Sequence, residues 1–222
     1  MARELMIDIS KINMRYNNRI FAKLAIAGIM LQVIIAAVIL CLNFNDLFYL
    51  NRIVGGKVVS AGEHAFYVQK ENIRYWVSIT SFILYLVLFL TWFYRAYSNV
   101  YVREPMQAPV KRGVVPFCMI IPIVNLFVPY QVMKFIWWGN ARSVDHLNKG
   151  YSTINLWWGL SIASLILNRV YFYKAGLASP GASDYINLTY LSITINIIFS
   201  CAFLLTRKLV IEINQSEQAA IV

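Results

Sequence analysis

Residues 113–133 read GVVPFCMIIPIVNLFVPYQVM. By length and apolarity the stretch could cross a bilayer, since a helix rises about 1.5 Å per residue and about 20 apolar residues span the hydrocarbon core. It also carries Pro116, Pro122 and Pro129. Each proline removes a backbone donor, clashes with the preceding turn and drives the residue before it out of the α region. A helix broken three times would leave carbonyls unpaired in lipid, and irregular backbone at membrane depth persists only where protein or a wet cavity covers it. The stretch is therefore expected to be re-entrant or interfacial, packed on other helices over about residues 113–138.

Four further stretches pass the same length test and are expected to span, at about residues 24–43, 75–94, 151–172 and 186–206. Gln32 is the only strongly polar side chain over residues 24–42, and Arg74 and Arg95 bound the second stretch. Composition points the same way. Hydrophobic residues make up 59% of the 222 and charged residues 14%, against about 45–50% and about 25% in soluble domains. The expected fold is an all-α integral membrane protein with four transmembrane helices plus the proline-broken segment. A basic N-terminal segment (1–23) precedes a single membrane domain (24–206), and a short, mostly polar tail (207–222) follows. The first apolar run lacks a small-x-small cleavage pattern and reads as an uncleaved anchor. Residues 43–73 form the only sizeable external segment, with Gly55, Gly56 and Gly62 in it.

Charge sets the orientation. With four spans, fourteen Lys and Arg side chains fall on one side and six on the other; with five spans the split is eleven to nine. The positive-inside rule prefers the sharper asymmetry, so both termini are expected in the cytoplasm. Trp92, Tyr94 and Tyr97 are expected at the cytoplasmic interface, and Tyr171, Phe172 and Tyr173 at the outer one. The net charge of +10 suits anionic lipid rather than nucleic acid, because the charges flank apolar runs instead of forming a basic domain. Cys41, Cys118 and Cys201 are isolated in apolar runs and are expected as small hydrophobes, with no disulfide and no zinc site.

Catalytic chemistry has few candidates. His64 and His146 are expected on opposite sides of the membrane, and Asp145 and His146, as neighbours on a helix, point in different directions. Gly159-Leu160-Ser161-Ile162 faintly resembles an intramembrane serine-protease motif, but no histidine lies in a span to act as its base. There is no Gly-rich phosphate loop, and no cofactor is expected. No Asp, Glu, Lys or Arg is central to an expected span, which disfavours an ion-coupled pump. Asn125, Asn155, Asn168, Asn187 and Asn196 are the remaining polar groups near membrane depth, as packing glue worth about 0.6 kcal/mol each or as a polar path.

The most distinctive text is in two blocks. Residues 89–99 read FLTWFYRAYSN, and residues 122–133 read PIVNLFVPYQVM, with Trp137 and Trp138 shortly after. Together they resemble the bacterial membrane family called domain of unknown function 4328, whose pattern is an aromatic-Arg block, then P-x-x-N-L-x-x-P-Y-Q, then a tryptophan. Where that family often has tryptophans before the first motif proline, this chain has Phe117, Cys118, Met119, Ile120 and Ile121. The resemblance implies a four-helix domain in a bacterial inner membrane and no assigned activity.

The candidate organising or ligand site is therefore Trp92, Tyr94, Arg95 and Asn99 from the first block and Pro122, Asn125, Pro129, Tyr130 and Gln131 from the second. Arg95 offers five donors in a planar fork and is expected to dock on carbonyls that the prolines free. A surface-lying helix is expected from Tyr130, with Val132, Phe135 and Ile136 on one face and Lys134 on another, and with Trp137 and Trp138 at headgroup level. The leading functional reading is a structural or assembly role, with other membrane proteins or further copies of the chain as partners alongside anionic lipid. The alternatives are conduction of a small solute and lipid chemistry at the cytoplasmic face using Arg95, Arg112 and Lys134.

Overall fold

A computed structural model describes residues 17–118, 121–141, 143–176 and 181–219. Most of the basic N-terminal segment and the last residues of the tail lie outside these. The helices are α1 (Arg19–Val54), α2 (Ala61–Arg103), α3 (Pro122–Asn125), α4 (Val128–Asn140), α5 (Val144–Ala175) and α6 (Ala182–Ala219). Two 3₁₀ segments, Pro105–Gln107 and Arg112–Phe117, follow α2. No strand occurs among the described residues. Among the described residues, three helices are long and apolar enough to cross a membrane: Arg19–Val54, Ala61–Arg103 and Ser183–Ala219.

The proline stretch is broken where its prolines stand. Pro116 sits inside the second 3₁₀ segment, Pro122 opens the four-residue α3, and Pro129 lies in the first turn of α4. In a first turn the missing N–H would have had no helical partner anyway.

The long helices outrun their apolar stretches. Residues 43–73, expected as an external loop, are helical except for a short turn between Val54 and Ala61. Two local devices make that turn. Gly56 adopts a positive φ of 74°, and its N–H reaches Ile53 O while that of Lys57 reaches Arg52 O, both at 3.0 Å. This Schellman closure ends α1. Then Ser60 and Glu63 form a capping box for α2: the Glu63 N–H donates to Ser60 Oγ at 3.2 Å, and the Ser60 N–H to Glu63 Oε2 at 3.0 Å. A length test for membrane crossing is blind to such signals, so it missed where the helices end.

The chain forms two compact units. The first comprises Met1–Gly28, Leu86–Trp158 and Leu205–Val222, and the second Ile29–Tyr85 and Gly159–Leu204. In the first unit one face of α2 is sealed: Phe89, Trp92, Phe93, Ala96, Tyr97 and Val100 are at most 1% exposed. Their spacing of three and four residues is that of a single helix face. Val132, Met133 and Ile136 of α4 and Leu209, Val210 and Ile213 of α6 are also buried. Trp92 and Tyr97 are thus core residues and not the expected interfacial belt. Trp137 is likewise core, at 2% exposure. The belt reading assumes that an aromatic near a span end faces lipid, but these three are on faces turned toward protein.

Two glycines let helices close up in this unit. A Cβ at Gly139 would lie 2.3 Å from Val100 Cγ1, and one at Gly150 would lie 1.7 Å from Trp137 Cε2. The C-terminal segment expected as a polar tail is the end of α6, which continues to Ala219 with Ser216 and Glu217 buried.

In the second unit the apolar contacts centre on Tyr85, Phe199 and Phe203, with ring centroids 4.9–5.0 Å apart. Asn43 and Asp46 of α1 are each 1% exposed and meet α2 through charge. All three cysteines are free; Cys118 is buried, whereas Cys41 and Cys201 are exposed on the helix surface.

Candidate functional site

Both signature blocks fall in the first unit. Trp92 packs against Phe89, with centroids 5.6 Å apart, and its carbonyl accepts from the buried Asn18 amide at 3.4 Å. Tyr94 is half-buried, with the Arg112 guanidinium 5.9 Å over its ring. Asn99 is 2% exposed and donates to Glu217 Oε1 at 3.0 Å, across 118 residues of sequence.

In the second block, Pro122 begins α3, and Asn125 ends it with its N–H on Ile121 O at 2.8 Å. Pro129 is buried. The Tyr130 hydroxyl donates to Asn155 Oδ1 at 2.7 Å, and its ring stacks near Trp158. Gln131 is exposed, its N–H on Phe127 O at 3.3 Å. The α4 face that carries Val132, Phe135 and Ile136 is buried against protein.

The blocks are joined through α4. The Tyr97 ring lies 5.4 Å from Phe135, Val100 fits against Gly139, and the Tyr97 hydroxyl donates to Val110 O. Arg95 reaches elsewhere among its described contacts. Its Nη2 donates to Asn17 O at 3.2 Å, and its guanidinium lies 4.2 Å over the Phe21 ring. Arg103 joins α2 to α4: Nη2 donates to Gly139 O at 2.9 Å and Nε to Asn99 O at 3.3 Å. This guanidinium therefore caps the C-terminal turn of α4, where carbonyls lack helical partners and the helix dipole favours a cation. Arg103→Lys keeps the charge but loses the fork. Arg103→Ala should lower stability by about 1.5–3 kcal/mol, and Arg103→Lys by part of that. Thermal unfolding in mild detergent would check this, with the exposed Lys208→Ala as the unaffected control.

The three cations considered for phosphate binding each sit over an aromatic ring. Besides Arg95 and Arg112, Lys134 Nζ lies 4.5 Å from the Tyr130 centroid and 5.0 Å from that of Tyr151, within cation–π range.

Arg103, Gly139, Gly150 and Glu217 were not singled out by the sequence. For Glu217 a signal existed: Leu209, Val210, Ile213 and Ser216 continue a helical period past Thr206.

The second unit carries a buried ionic network that the sequence reading also missed. Arg74 Nη1 donates to Asp46 Oδ2 at 3.0 Å and to Asn43 Oδ1 at 2.9 Å. Lys70 pairs with Asp46, and Arg74 also pairs with Glu71. The Asn43 amide donates to Ser192 Oγ at 3.2 Å, tying α6 to the network. Two cavities, of about 490 and 560 Å³, flank it. Both touch Arg74, and the larger also touches Gln32, Glu71, Asn168 and Asn196. Neither is lined by a signature residue. Among the described residues, no cluster of His, Cys, Asp and Glu is arranged to hold a metal ion.

No curated protein and no solved structure matches the chain. A family model does match, over residues 60–215. That range runs from the start of α2 almost to the end of α6, takes in both signature blocks, and covers well over half of the 222 residues. The chain therefore belongs to the family described as domain of unknown function DUF4328.

Proposed function

We propose that the chain is a four-span protein of the bacterial inner membrane, both ends cytoplasmic, with a structural role in assembling membrane proteins or copies of itself. The observation that carries this reading is what the signature residues do. Trp92, Asn99 and Pro129 are buried, and Arg95 and Tyr130 bond to neighbouring backbone or side chain. A motif kept for chemistry would be expected to face a cavity; this one holds helices together. Helix α5 supplies the fourth span. Its 32 residues exceed the length needed, and Leu156, Leu165, Ile166 and Phe172 are exposed along it, as lipid-facing side chains would be. Anionic lipid is the expected partner on the cytoplasmic side, where most Lys and Arg fall.

In a cysteine-free background, single cysteines at Gln107 and Asn148 should react with an impermeant maleimide in inverted vesicles and not in intact spheroplasts. Labelling from opposite sides would make the proline stretch a span and remove the model of four. A photo-crosslinking residue at Met106, exposed in the first 3₁₀ segment, should give discrete protein adducts in the membrane; adducts to lipid alone would count against assembly.

Conduction is the second reading, favoured by Asn168 and Asn196 on the larger cavity. Proteoliposomes that swell in a small neutral solute, and stop swelling on Asn196→Leu, would support it over assembly. Lipid chemistry draws less support, because Arg95, Arg112 and Lys134 are already engaged by aromatic rings.

A further inference from the structure

The chain leaves α2 at Arg103 and turns back along it. The Tyr97 hydroxyl donates to Val110 O, and the Arg112 guanidinium lies 5.9 Å over the Tyr94 ring. Helix α4 then runs beside α2 in the same direction: the Phe135 ring lies 5.4 Å from that of Tyr97, and Gly139 closes on Val100. At about 1.5 Å per residue, Val128 is about 16 Å back from Gly139 along α4, which brings it level with Phe89 on α2. Helix α4 thus stands against α2 and does not lie flat on a surface. Tyr94 closes the second expected span, and one leaflet contributes about 15 Å of hydrocarbon, half of the bilayer core. The apex before α4 therefore falls inside the cytoplasmic leaflet and short of the midplane.

Two sets of side chains on this returning segment define its surroundings. Phe117, Ile121, Leu126 and Phe127 are 41–62% exposed, a concentration of large apolar groups that suits acyl chains and not water. Nearer the cytoplasm come Lys111, Arg112 and Lys134. Lys111 is exposed, and the other two are half-buried against the rings of Tyr94, Tyr130 and Tyr151. A ring at the face of a cation holds it in place and leaves N–H groups at its edge for an anion. Among the described residues none of the three is paired with a carboxylate. From Pro105 to Val144 the sequence holds no Asp or Glu, so nothing on the segment offsets these charges. Arg112 lies beside Tyr94, and Lys134 adjoins Phe135, which meets Tyr97. The cations are therefore at the level of the span's end, where lipid phosphates lie.

We propose that this segment is a wedge in the cytoplasmic leaflet that binds anionic phospholipid: phosphates meet Lys111, Arg112 and Lys134, and acyl chains pack against Phe117, Leu126 and Phe127. The proposal rests on the four-span reading, which sets Tyr94 at the cytoplasmic edge of the bilayer, and it names where the anionic lipid expected there is held.

The full chain, in a cysteine-free background, would be spin-labelled in nanodiscs of phosphatidylcholine and phosphatidylglycerol. A nitroxide on Phe127→Cys should be reached by oxygen and shielded from a water-soluble nickel chelate. One on Met106→Cys, replacing a side chain that is 95% exposed, should show the reverse. With unlabelled protein and spin-labelled lipids, association should favour phosphatidylglycerol over phosphatidylcholine. Lys111→Gln and Lys134→Gln should each lower that preference by up to about fivefold, the range for one basic side chain near an anionic surface. Lys208→Gln, which removes an exposed cation from α6, should lower it clearly less. A Phe127→Cys label open to the chelate, no preference for phosphatidylglycerol, or an equal loss in Lys208→Gln would each overturn the wedge. The four-span reading would survive those results if cysteines at Gln107 and Asn148 still label from one side; labelling from opposite sides would remove both.

Discussion

Gly150→Ala is expected to be among the most damaging single changes in the protein, although alanine is the better helix former. The intrinsic gain on leaving glycine is about 0.8–1.0 kcal/mol in a helix interior. Against it, the new Cβ would fall 1.7–2.3 Å from three atoms of the Trp137 indole. That ring cannot readily step aside. It is 2% exposed, its Nε1 donates to His146 O at 3.3 Å, and the imidazole of His146 lies 4.8 Å from it. Overpacking of this kind costs about 1–3 kcal/mol and sometimes more, so the net effect is a loss. Gly159 is a control in the same helix: nothing lies within 4 Å of a Cβ there, and Gly159→Ala should stabilise by up to about 1 kcal/mol. Thermal unfolding in mild detergent should therefore move in opposite directions for the two variants. Adding Trp137→Leu to Gly150→Ala should recover part of the loss by opening the space; shifts of the same sign and size at both glycines would contradict the packing described.

The second large effect is expected at Arg74. Its guanidinium faces Asp46, Asn43 and Glu71, and the Asp46 side chain is only 2% exposed. Removing one partner of a buried ion pair leaves the other charge uncompensated, at about 3–5 kcal/mol. Arg74→Ala should approach that figure, moderated by Lys70, which also pairs with Asp46. Arg52→Ala removes the pair with Glu63, whose side chain is 43% exposed, and should change stability far less, because solvent screens an exposed pair. Replacing both partners tests the cause. Asp46→Leu combined with Arg74→Met should recover much of the loss, because a buried pair can often be exchanged for apolar residues at little net cost. If the double variant is as unstable as Arg74→Ala alone, the damage comes from lost packing and not from an orphaned charge.

Asp46 also shows why this network escaped a reading by sequence. It stands three residues beyond the first expected span, in Asn43-Phe44-Asn45-Asp46, which reads as the start of a polar loop. Only the continuation of α1 to Val54 and the return of α2 from Ala61 bring Asp46 opposite Lys70 and Arg74. The ends of those helices were nevertheless written locally, in Gly56 and in the Ser60–Glu63 capping box. They went unread because hydropathy over a long window averages out single turn and cap residues.

The signature blocks divide in the same way. Their family, their helical character and the common face of Val132, Phe135 and Ile136 could be read from residue order, because helical periodicity and the backbone limits of proline are local properties. The partner of each polar side chain could not. Asn99 meets Glu217 across 118 residues, and Arg103 meets Gly139 O across 36.

Sequence by itself determined that the chain is helical, that it carries long stretches apolar enough for a membrane, of which four were expected to span and three meet that test among the described residues, that residues 113–133 cannot form one straight helix, and that the two blocks mark DUF4328. Each of these follows from composition, period or covalent geometry over a few adjacent residues. Tertiary structure alone decided which aromatics are core, which glycines are irreplaceable, and where buried Gln32, Asp46 and Glu217 lie. Those outcomes depend on which helix faces meet, and that is set by packing and hydrogen bonds between residues far apart in the chain.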